Sequence, residues 1–174
     1  MNVAILREAG LDEALLGLSL SYQCQPDKDL LAVARKLAGR DGGHNKFLES
    51  IAVWLDIDAP RYFWSQFDTY RAGVTKQSES TMHTLTKRNL TRDDFAAGTD
   101  MRAILIVNEA IADRDLDRAK RHLPEGFMQR RIVCTNYKAL RHIVKQRHDH
   151  KLSEWQTFRT ALASQLQHPE LITP

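Results

Sequence analysis

A run of cations gives this sequence its densest candidate chemistry. Between Arg118 and Lys151 the chain carries ten Lys or Arg residues and two acids, so this segment is near +8 in a chain of +3. Such a stretch favours an anionic partner, either a phosphate-bearing small molecule or a nucleic acid. The alternative, in which most of these side chains form a solvated face, stays open.

Other motifs for chemistry are weak. Cys24 and Cys134 are too far apart in sequence for a metal knuckle, and each is predicted to be a small buried apolar residue. His148, Asp149 and His150 are consecutive, and consecutive side chains on a helix point in different directions. We therefore predict a solvated or anion-facing pair there rather than a metal site. The sequence contains no Gly-rich phosphate loop and no GxSxG motif.

Length and composition predict one folded domain over residues 1–174. Hydrophobic residues make up 43% of the chain and charged residues 27%, which is ordinary for a folded soluble protein. No run approaches the roughly 18 apolar residues that a membrane span needs. The first 17 residues, MNVAILREAGLDEALLG, place acids within the apolar stretch, unlike a secretory signal. We expect a cytoplasmic protein.

The first half of the chain is predicted to mix helices with a strand. Apolar spacing predicts a helix over residues 27–37 that stops at Gly39, and then a short helix over 45–49. Alternation predicts a strand over 51–57, and Pro60 suits the first turn of a helix over 61–70. Residues 71–100 show little periodicity and are predicted to form a long ordered loop.

The second half is predicted to be mainly helical. One helix carries an apolar stripe of Met101, Ile104, Leu105 and Ile111. A short charged helix is expected over 113–121 and a strand over 131–134. Thr135 or Asn136 can cap a helix that runs to about residue 148, and Ser153 starts a last helix. The inward side chains of these two helices would be Leu140, Ile143, Val144, Trp155, Phe158 and Leu162. These elements predict an α/β (α+β) fold, a small sheet with packing helices.

Residues 42–71, GGHNKFLESIAVWLDIDAPRYFWSQFDTYR, resemble the flavin-dependent thymidylate synthases. That family has a Gly-His, a Glu five residues later, an apolar strand, an Ala-Pro, and a helix carrying Gln before an Arg-His-Arg signature. The corresponding residues here are His44, Glu49, Ala59-Pro60, Gln66 and, for the last Arg of the signature, Arg71.

Residues 117–155 carry a second, ungapped resemblance to the same family. The family has a basic helix ending in Leu-Pro, an Asn twelve residues later, and an Arg eleven residues after that. These landmarks fall on Leu123-Pro124, Asn136 and Arg147. The two stretches span about 70 residues in the same order, and several spacings agree at once.

The resemblance implies the family's fold and its flavin chemistry. It implies a homotetramer whose active sites draw on several subunits, FAD as cofactor, and dUMP stacked on the flavin. Methylenetetrahydrofolate and NADPH would be co-substrates, and reduced flavin would supply the hydride without a covalent protein nucleophile. The cofactor would then carry the difficult chemistry, while the protein supplies orientation and charge.

The resemblance also implies roles for individual side chains. Cofactor contacts are assigned to His44, Tyr70, Asn136 and Lys138, and Lys46 is added as a cation that can replace a lost contact. Substrate contacts are assigned to Gln66, Arg71, Gln77, Glu79, Lys120 and Arg147. Simpler alternatives stay open for four positions: a core histidine at His44, a helix-surface amide at Gln66, a salt bridge at Arg71 and a helix N-cap at Asn136.

The sequence departs from the family where its chemistry should lie. The Arg-His-Arg signature reads Thr69-Tyr70-Arg71 here, and Lys120 and Lys138 stand in place of arginines. In the following loop, Lys76-Gln77 stands where the family has Asn-Glu, Glu79 stands where it has a Ser, and Thr81 stands where it has an Arg. If the alignment is shifted by one residue, Ser80 falls on the family's Ser and Met82-His83 falls at the end of the pattern. Each lost charge-assisted contact costs about 1.5–3 kcal/mol. Either the substrate or the reaction is therefore expected to differ from ordinary dUMP methylation, or the flavin site is expected to be weaker than in the family.

Two functions are therefore kept open. The first is a divergent flavin-dependent enzyme that modifies C5 of dUMP or a related pyrimidine nucleotide. The second is a non-redox protein on the same fold that binds a nucleotide or a nucleic acid, with Tyr70 and Trp64 as stacking faces beside Arg71. An oligomeric scaffold with an inactive site is a third alternative.

Overall fold

The computed structural model describes residues 1–21 and 28–173. The strands are β1 (Asn2–Ala9), β2 (Ala52–Pro60), β3 (Thr75–Ser78) and β4 (Met128–Asn136). The helices are α1 (Leu11–Leu20), α2 (Lys28–Ala38), α3 (Arg61–Phe67), α4 (Thr81–Thr84), α5 (Met101–Ala112), α6 (Leu116–His122), α7 (Tyr137–Gln146) and α8 (Ser153–Gln165). Short 3-10 helices are Lys46–Ser50, Arg92–Asp94 and Pro169–Leu171.

The four strands form one antiparallel sheet in the order β1-β2-β4-β3. Strand β2 alternates buried and half-buried side chains, and its buried positions Val53, Leu55, Ile57 and Ala59 are fully enclosed. This period-two pattern is what a strand with one core-facing side requires. The predicted strand over 51–57 is confirmed and extends to Pro60.

The chain divides into two compact units. The central unit contains Met1–Asn2, Ile57–Thr69 and Gln77–Arg131, and the terminal unit contains Val3–Asp56, Tyr70–Lys76 and Ile132–Pro174. The division falls within β2, β3 and β4. The expectation of a single domain over residues 1–174 stays a prediction.

Helices α7 and α8 supply large side chains to the core of the terminal unit. Leu140 and Ile143 of α7 and Trp155, Phe158 and Leu162 of α8 are all fully buried. In each helix these residues recur every three or four positions, so they form one apolar stripe. The predicted inward faces of both helices are confirmed.

The core of the central unit is built on α5 and α6. Its buried residues on these helices are Ile104, Val107, Ala110, Ile111 and Ala119. The predicted stripe is wrong in part, because Met101 and Leu105 are 45% and 57% exposed. The buried positions recur every three or four residues from Ile104, and Leu105 lies off that face. Met101 is three residues before Ile104 but is the first residue of α5.

Several element boundaries differ from the predictions. Helix α3 ends at Phe67 rather than at residue 70. Its last turn is closed by the Asp68 N–H, which donates to the Trp64 carbonyl at 2.8 Å. Helix α6 begins at Leu116, because the Asp115 side chain accepts from the Arg118 N–H as an N-cap. The predicted loop over 71–100 is wrong in detail, since it contains β3, α4 and a 3-10 turn.

The N-terminal strand β1 and helix α1 were not predicted from the sequence. The two cysteines have different outcomes: Cys134 is a half-buried free thiol rather than a fully buried residue, and Cys24 lies outside the described residues. Within residues 1–21 and 28–173, no helix is long and apolar enough to cross a membrane.

Candidate functional site

The junction between β4 and α7 fixes Asn136 at the head of a helix. Its Oδ1 accepts a hydrogen bond from the Ala139 N–H at 2.9 Å, so the predicted N-cap is confirmed. Gly73 lies against the same side chain with a φ of +68°, and a Cβ added there would be 2.8 Å from Asn136 Nδ2. Only glycine permits this close approach at a positive φ without strain.

Asn136 lines a cavity of about 600 Å³ in the terminal unit, which we call the α7 cavity. Helix α7 contributes Lys138, Ala139, Arg141, His142 and Lys145 to the lining of this cavity. The remaining lining residues are Gly39, Asp41, Asn45, Glu49, Ala72 and Gly73. The cations on one helix face, together with an amide at its head, suit a ligand that carries negative charge.

Lys138 forms an ion pair with Glu49, which lines the same cavity. The two side chains are 40% and 57% exposed, so water screens the pair and its net contribution to folding is about 0–1 kcal/mol. A ligand anion can therefore compete with Glu49 for Lys138 at small cost to the fold.

Arg141 has a different role in the α7 cavity. Its Nη1 donates to the Thr173 carbonyl at 2.5 Å and to the Leu171 carbonyl at 3.2 Å. Burial lowers the pKa of its guanidinium, and the nearby Asp41 partly offsets this. Arg141 thus ties the C-terminal residues to α7.

His142 and Lys145 also line the α7 cavity, although the sequence resemblance assigned them no role. Both are exposed on α7, four and seven residues after Lys138. Positions i, i+4 and i+7 share a helix face, so this spacing was the signal that could have identified them.

His44 and Lys46 line a second cavity of the terminal unit, of about 680 Å³. Both side chains are exposed, so the alternative that His44 is a core histidine is wrong. Glu49 lines this cavity as well as the α7 cavity. The structure therefore brings four of the five predicted cofactor contacts to two cavities joined by one carboxylate.

Tyr70, the fifth predicted cofactor contact, is 9% exposed and packs against α7 and α8. Its hydroxyl lies 2.8 Å from Gln146 Oε1 and 2.7 Å from Arg147 Nε. The Arg147 guanidinium carbon lies 4.6 Å from the centre of the Trp155 ring and 5.4 Å from that of Tyr70. Because Arg147 covers the Tyr70 ring, the predicted open stacking face is wrong here.

Trp64, the other predicted stacking face, is also closed. It is 1% exposed in the central unit, and its indole N–H donates to the Gln129 carbonyl at 2.8 Å. The Arg131 guanidinium carbon lies 4.3 Å from its ring centre, and Arg131 forms an ion pair with Asp68 at 2.9 Å. This cation belongs to the packing of the central unit rather than to an anion site.

Arg71 follows Tyr70 directly and has an exposed side chain. Among the described residues its guanidinium has no ion-pair or hydrogen-bond partner, so the alternative of a structural salt bridge is not supported there. The next two residues, Ala72 and Gly73, line the α7 cavity. The backbone thus leads from Tyr70, which contacts Arg147, through Arg71 to the cavity.

The other predicted substrate contacts lie in the central unit. Lys120 Nζ donates to Thr81 Oγ1 at 2.8 Å, and the Glu79 carboxylate accepts from the Arg130 N–H at 3.4 Å. Glu79 also lines a cavity of about 530 Å³, whose lining includes both acidic and basic side chains. Gln77 is exposed on β3, and Gln66 is half-buried on α3, with contacts of its own.

The histidine pair near the end of α7 makes local contacts. His148 Nδ1 lies 2.7 Å from Asp149 Oδ1, and His150 Nδ1 accepts from the Leu152 N–H at 3.1 Å. Across the described ranges, no three metal-ligating side chains come together.

Neither a protein-family model nor a curated protein matches this chain, whereas solved structures match nearly all of it. The flavin-dependent thymidylate synthase ThyX from Helicobacter pylori, complexed with FAD and dUMP, aligns at 17% identity and a TM-score of 0.81, over 99% of this chain and 98% of that chain. A second structure of that enzyme with FAD and dUMP gives 17% identity and a TM-score of 0.85, over 99% and 97%. The UMP/dUMP methylase PolB from Streptomyces cacaoi, bound with 5-Br dUMP, aligns at 13% identity and a TM-score of 0.69, over 98% of this chain and 93% of that chain. The fold that the sequence resemblance implied is confirmed.

Proposed function

We propose that this chain, which has the fold of the flavin-dependent thymidylate synthases, is a divergent flavin-dependent enzyme that methylates or otherwise modifies C5 of dUMP or a related pyrimidine nucleotide. The α7 cavity supports this proposal most strongly. It places an amide and a row of cations together in a fold whose solved members hold FAD and dUMP. When bound, reduced FAD would supply the hydride, and a folate donor would supply the carbon unit.

The residues present fit an anionic, hydrogen-bonding cofactor. Asn136 keeps its amide at the cavity while its oxygen caps α7, and Gly73 leaves room beside that amide. The Lys138 side chain is 40% exposed, and water screens its ion pair with Glu49. We propose that Asn136 and Lys138 hold FAD together with His44 and Lys46, with NADPH as the reductant.

The proposed substrate contacts are Arg71 and Arg147 of the terminal unit and Gln66, Gln77, Glu79 and Lys120 of the central unit. A guanidinium matches a phosphate in both charge and geometry, which makes Arg71 and Arg147 the strongest candidates. We also propose a cytoplasmic homotetramer whose sites draw on several subunits. The side chains would bind and orient the reactants, and none is proposed as a nucleophile.

A non-redox nucleotide- or nucleic-acid-binding protein is the second candidate. Its support is that cations near the departures from the family pattern already have partners within the chain. Lys120 donates to Thr81, and Lys138 pairs with Glu49. A flavin at Lys138 would have to displace Glu49, whereas a flexible nucleic-acid backbone could contact the exposed Lys145 without doing so.

The two candidates differ in one optical property. The flavin enzyme is expected to purify yellow or to take up added FAD, with a flavin absorbance band and a higher melting temperature. A colourless protein whose melting temperature does not respond to FAD would rule out the enzyme. Binding to single-stranded DNA or RNA that weakens steeply with salt would support the second candidate.

Arg71→Ala tests nucleotide binding, which both candidates share. We expect at least a ten-fold weaker affinity for dUMP in calorimetry, since one charge-assisted contact is lost, with an unchanged melting temperature. Lys36→Ala is the matched control, because it removes one exposed cation from α2 of the same unit. Equal affinities of the two variants would remove Arg71 from the site.

A further inference from the structure

Tyr70 occupies the middle position of the altered signature, and its hydroxyl contacts two consecutive residues at the end of α7. An arginine Nε–H is only a donor, so the Tyr70 oxygen must accept from Arg147 at 2.7 Å. The phenolic proton is thereby directed to Gln146 Oε1 at 2.8 Å. The hydroxyl therefore donates to Gln146 and accepts from Arg147, and these two contacts restrict its rotation.

Aromatic rings also restrict the movement of Arg147. Trp155 is fully buried, and its ring centre lies 4.6 Å from the guanidinium carbon, within the range of a cation–π contact. The His142 and Trp155 rings meet Tyr70 edge-on, with centroids 6.1 Å and 6.2 Å away. The half-buried Arg147 is therefore held on a rigid aromatic platform.

From this geometry we infer that Tyr70 is a positioning residue, which holds the guanidinium of Arg147 in the orientation that binds the nucleotide. Gln146 assists by holding the Tyr70 hydroxyl. The inference rests on the proposed function, since it assumes that Arg147 contacts a nucleotide. It also changes the role of Tyr70 from a cofactor contact to a residue that acts through Arg147.

The physical advantage is preorganisation. A free arginine side chain must be immobilised when it binds an anion, and that entropic cost weakens binding. Here the protein bears that cost on folding, through the hydroxyl contact and the indole face. Removing only the Tyr70 hydroxyl should therefore weaken binding while leaving the ring packing of the core in place.

The test is a double-mutant cycle on FAD-loaded protein, with dUMP affinity measured by calorimetry. We expect Tyr70→Phe to raise Kd about ten-fold and Arg147→Ala to raise it at least as much. Because Tyr70 acts only through Arg147, the double variant should bind no more weakly than Arg147→Ala alone. Gln146→Leu should give a smaller loss than Tyr70→Phe. Tyr62→Phe, in the central unit, is the control for hydroxyl loss.

Two results would overturn the inference. One is wild-type affinity in Tyr70→Phe, even if its melting temperature falls, because the hydroxyl would then serve the fold alone. The other is a loss of dUMP affinity from Tyr70→Phe that is as large in the Arg147→Ala background as in the wild type, which would mean that Tyr70 acts independently of Arg147. A failure of the proposed function is seen separately, as a wild-type protein that binds neither FAD nor dUMP.

Discussion

Gly73→Ala would perturb the fold and the α7 cavity at the same point. The added Cβ would be 2.8 Å from Asn136 Nδ2 and 3.6 Å from the Ala139 Cβ. A contact this short forces the Asn136 side chain to move. That side chain is not free to move without cost, because its Oδ1 caps α7 through the Ala139 N–H.

The expected magnitude follows from two separable costs. Alanine at a φ of +68° is strained by about 1–2 kcal/mol, partly offset by the about 0.4–1 kcal/mol that a less flexible unfolded chain contributes. Loss of the Asn136 cap adds about 0.5–2 kcal/mol. Gly42→Ala isolates the first cost, since Gly42 has a φ of +75° and an added Cβ would meet nothing within 4 Å.

The assay is thermal unfolding followed by circular dichroism. For a domain of this size each kcal/mol shifts the melting temperature by about 2–4 °C, so Gly73→Ala should melt about 1–8 °C below Gly42→Ala. FAD affinity should fall more in Gly73→Ala than in Gly42→Ala, because Gly42 lines the cavity of His44 and Lys46 but does not contact Asn136. Equal melting temperatures for the two variants would refute the reasoning, because the Asn136 cap would then not be coupled to Gly73.

Two further predictions concern stability. Burial and the Glu8 contact raise the pKa of Tyr137, whose hydroxyl donates to Glu8 and accepts from the His168 N–H at 3.3 Å. Tyr137→Phe should therefore lower the free energy of unfolding in urea by about 1–3 kcal/mol. A decrease below about 0.5 kcal/mol would contradict this prediction. Hydrogen bonds from Arg102 lower the pKa of Asp100 to about 2 from an ordinary 3.8. The stabilisation from this α5 cap should be present above about pH 4 and lost as the pH falls towards 2. Asp100→Asn keeps a capping oxygen, so its urea midpoint should fall less than that of the wild type between pH 5 and pH 2.5. If the midpoints of the two proteins fall equally over this range, the Asp100 cap is not the source of the pH dependence.

Local patterns in the sequence were sufficient for the strongly periodic elements. The stripes of α7 and α8 and the alternation of β2 predicted their buried faces, because side-chain direction follows from helix and strand geometry alone. Thr135 or Asn136 was predicted as a cap because a short acceptor side chain before a helix satisfies a free N–H, and the cap is Asn136. The ungapped spacings of two stretches were enough to predict the fold.

Tertiary structure alone decided which polar residues meet. The sequence offered Tyr70 as a stacking face, but packing against α7 and α8 closed its ring beneath Arg147. Likewise, Lys138 could not be paired with Glu49 from spacing, because 89 residues separate them and only the fold brings them together. Propensity and periodicity act over a few neighbouring residues, whereas these contacts depend on how whole elements pack.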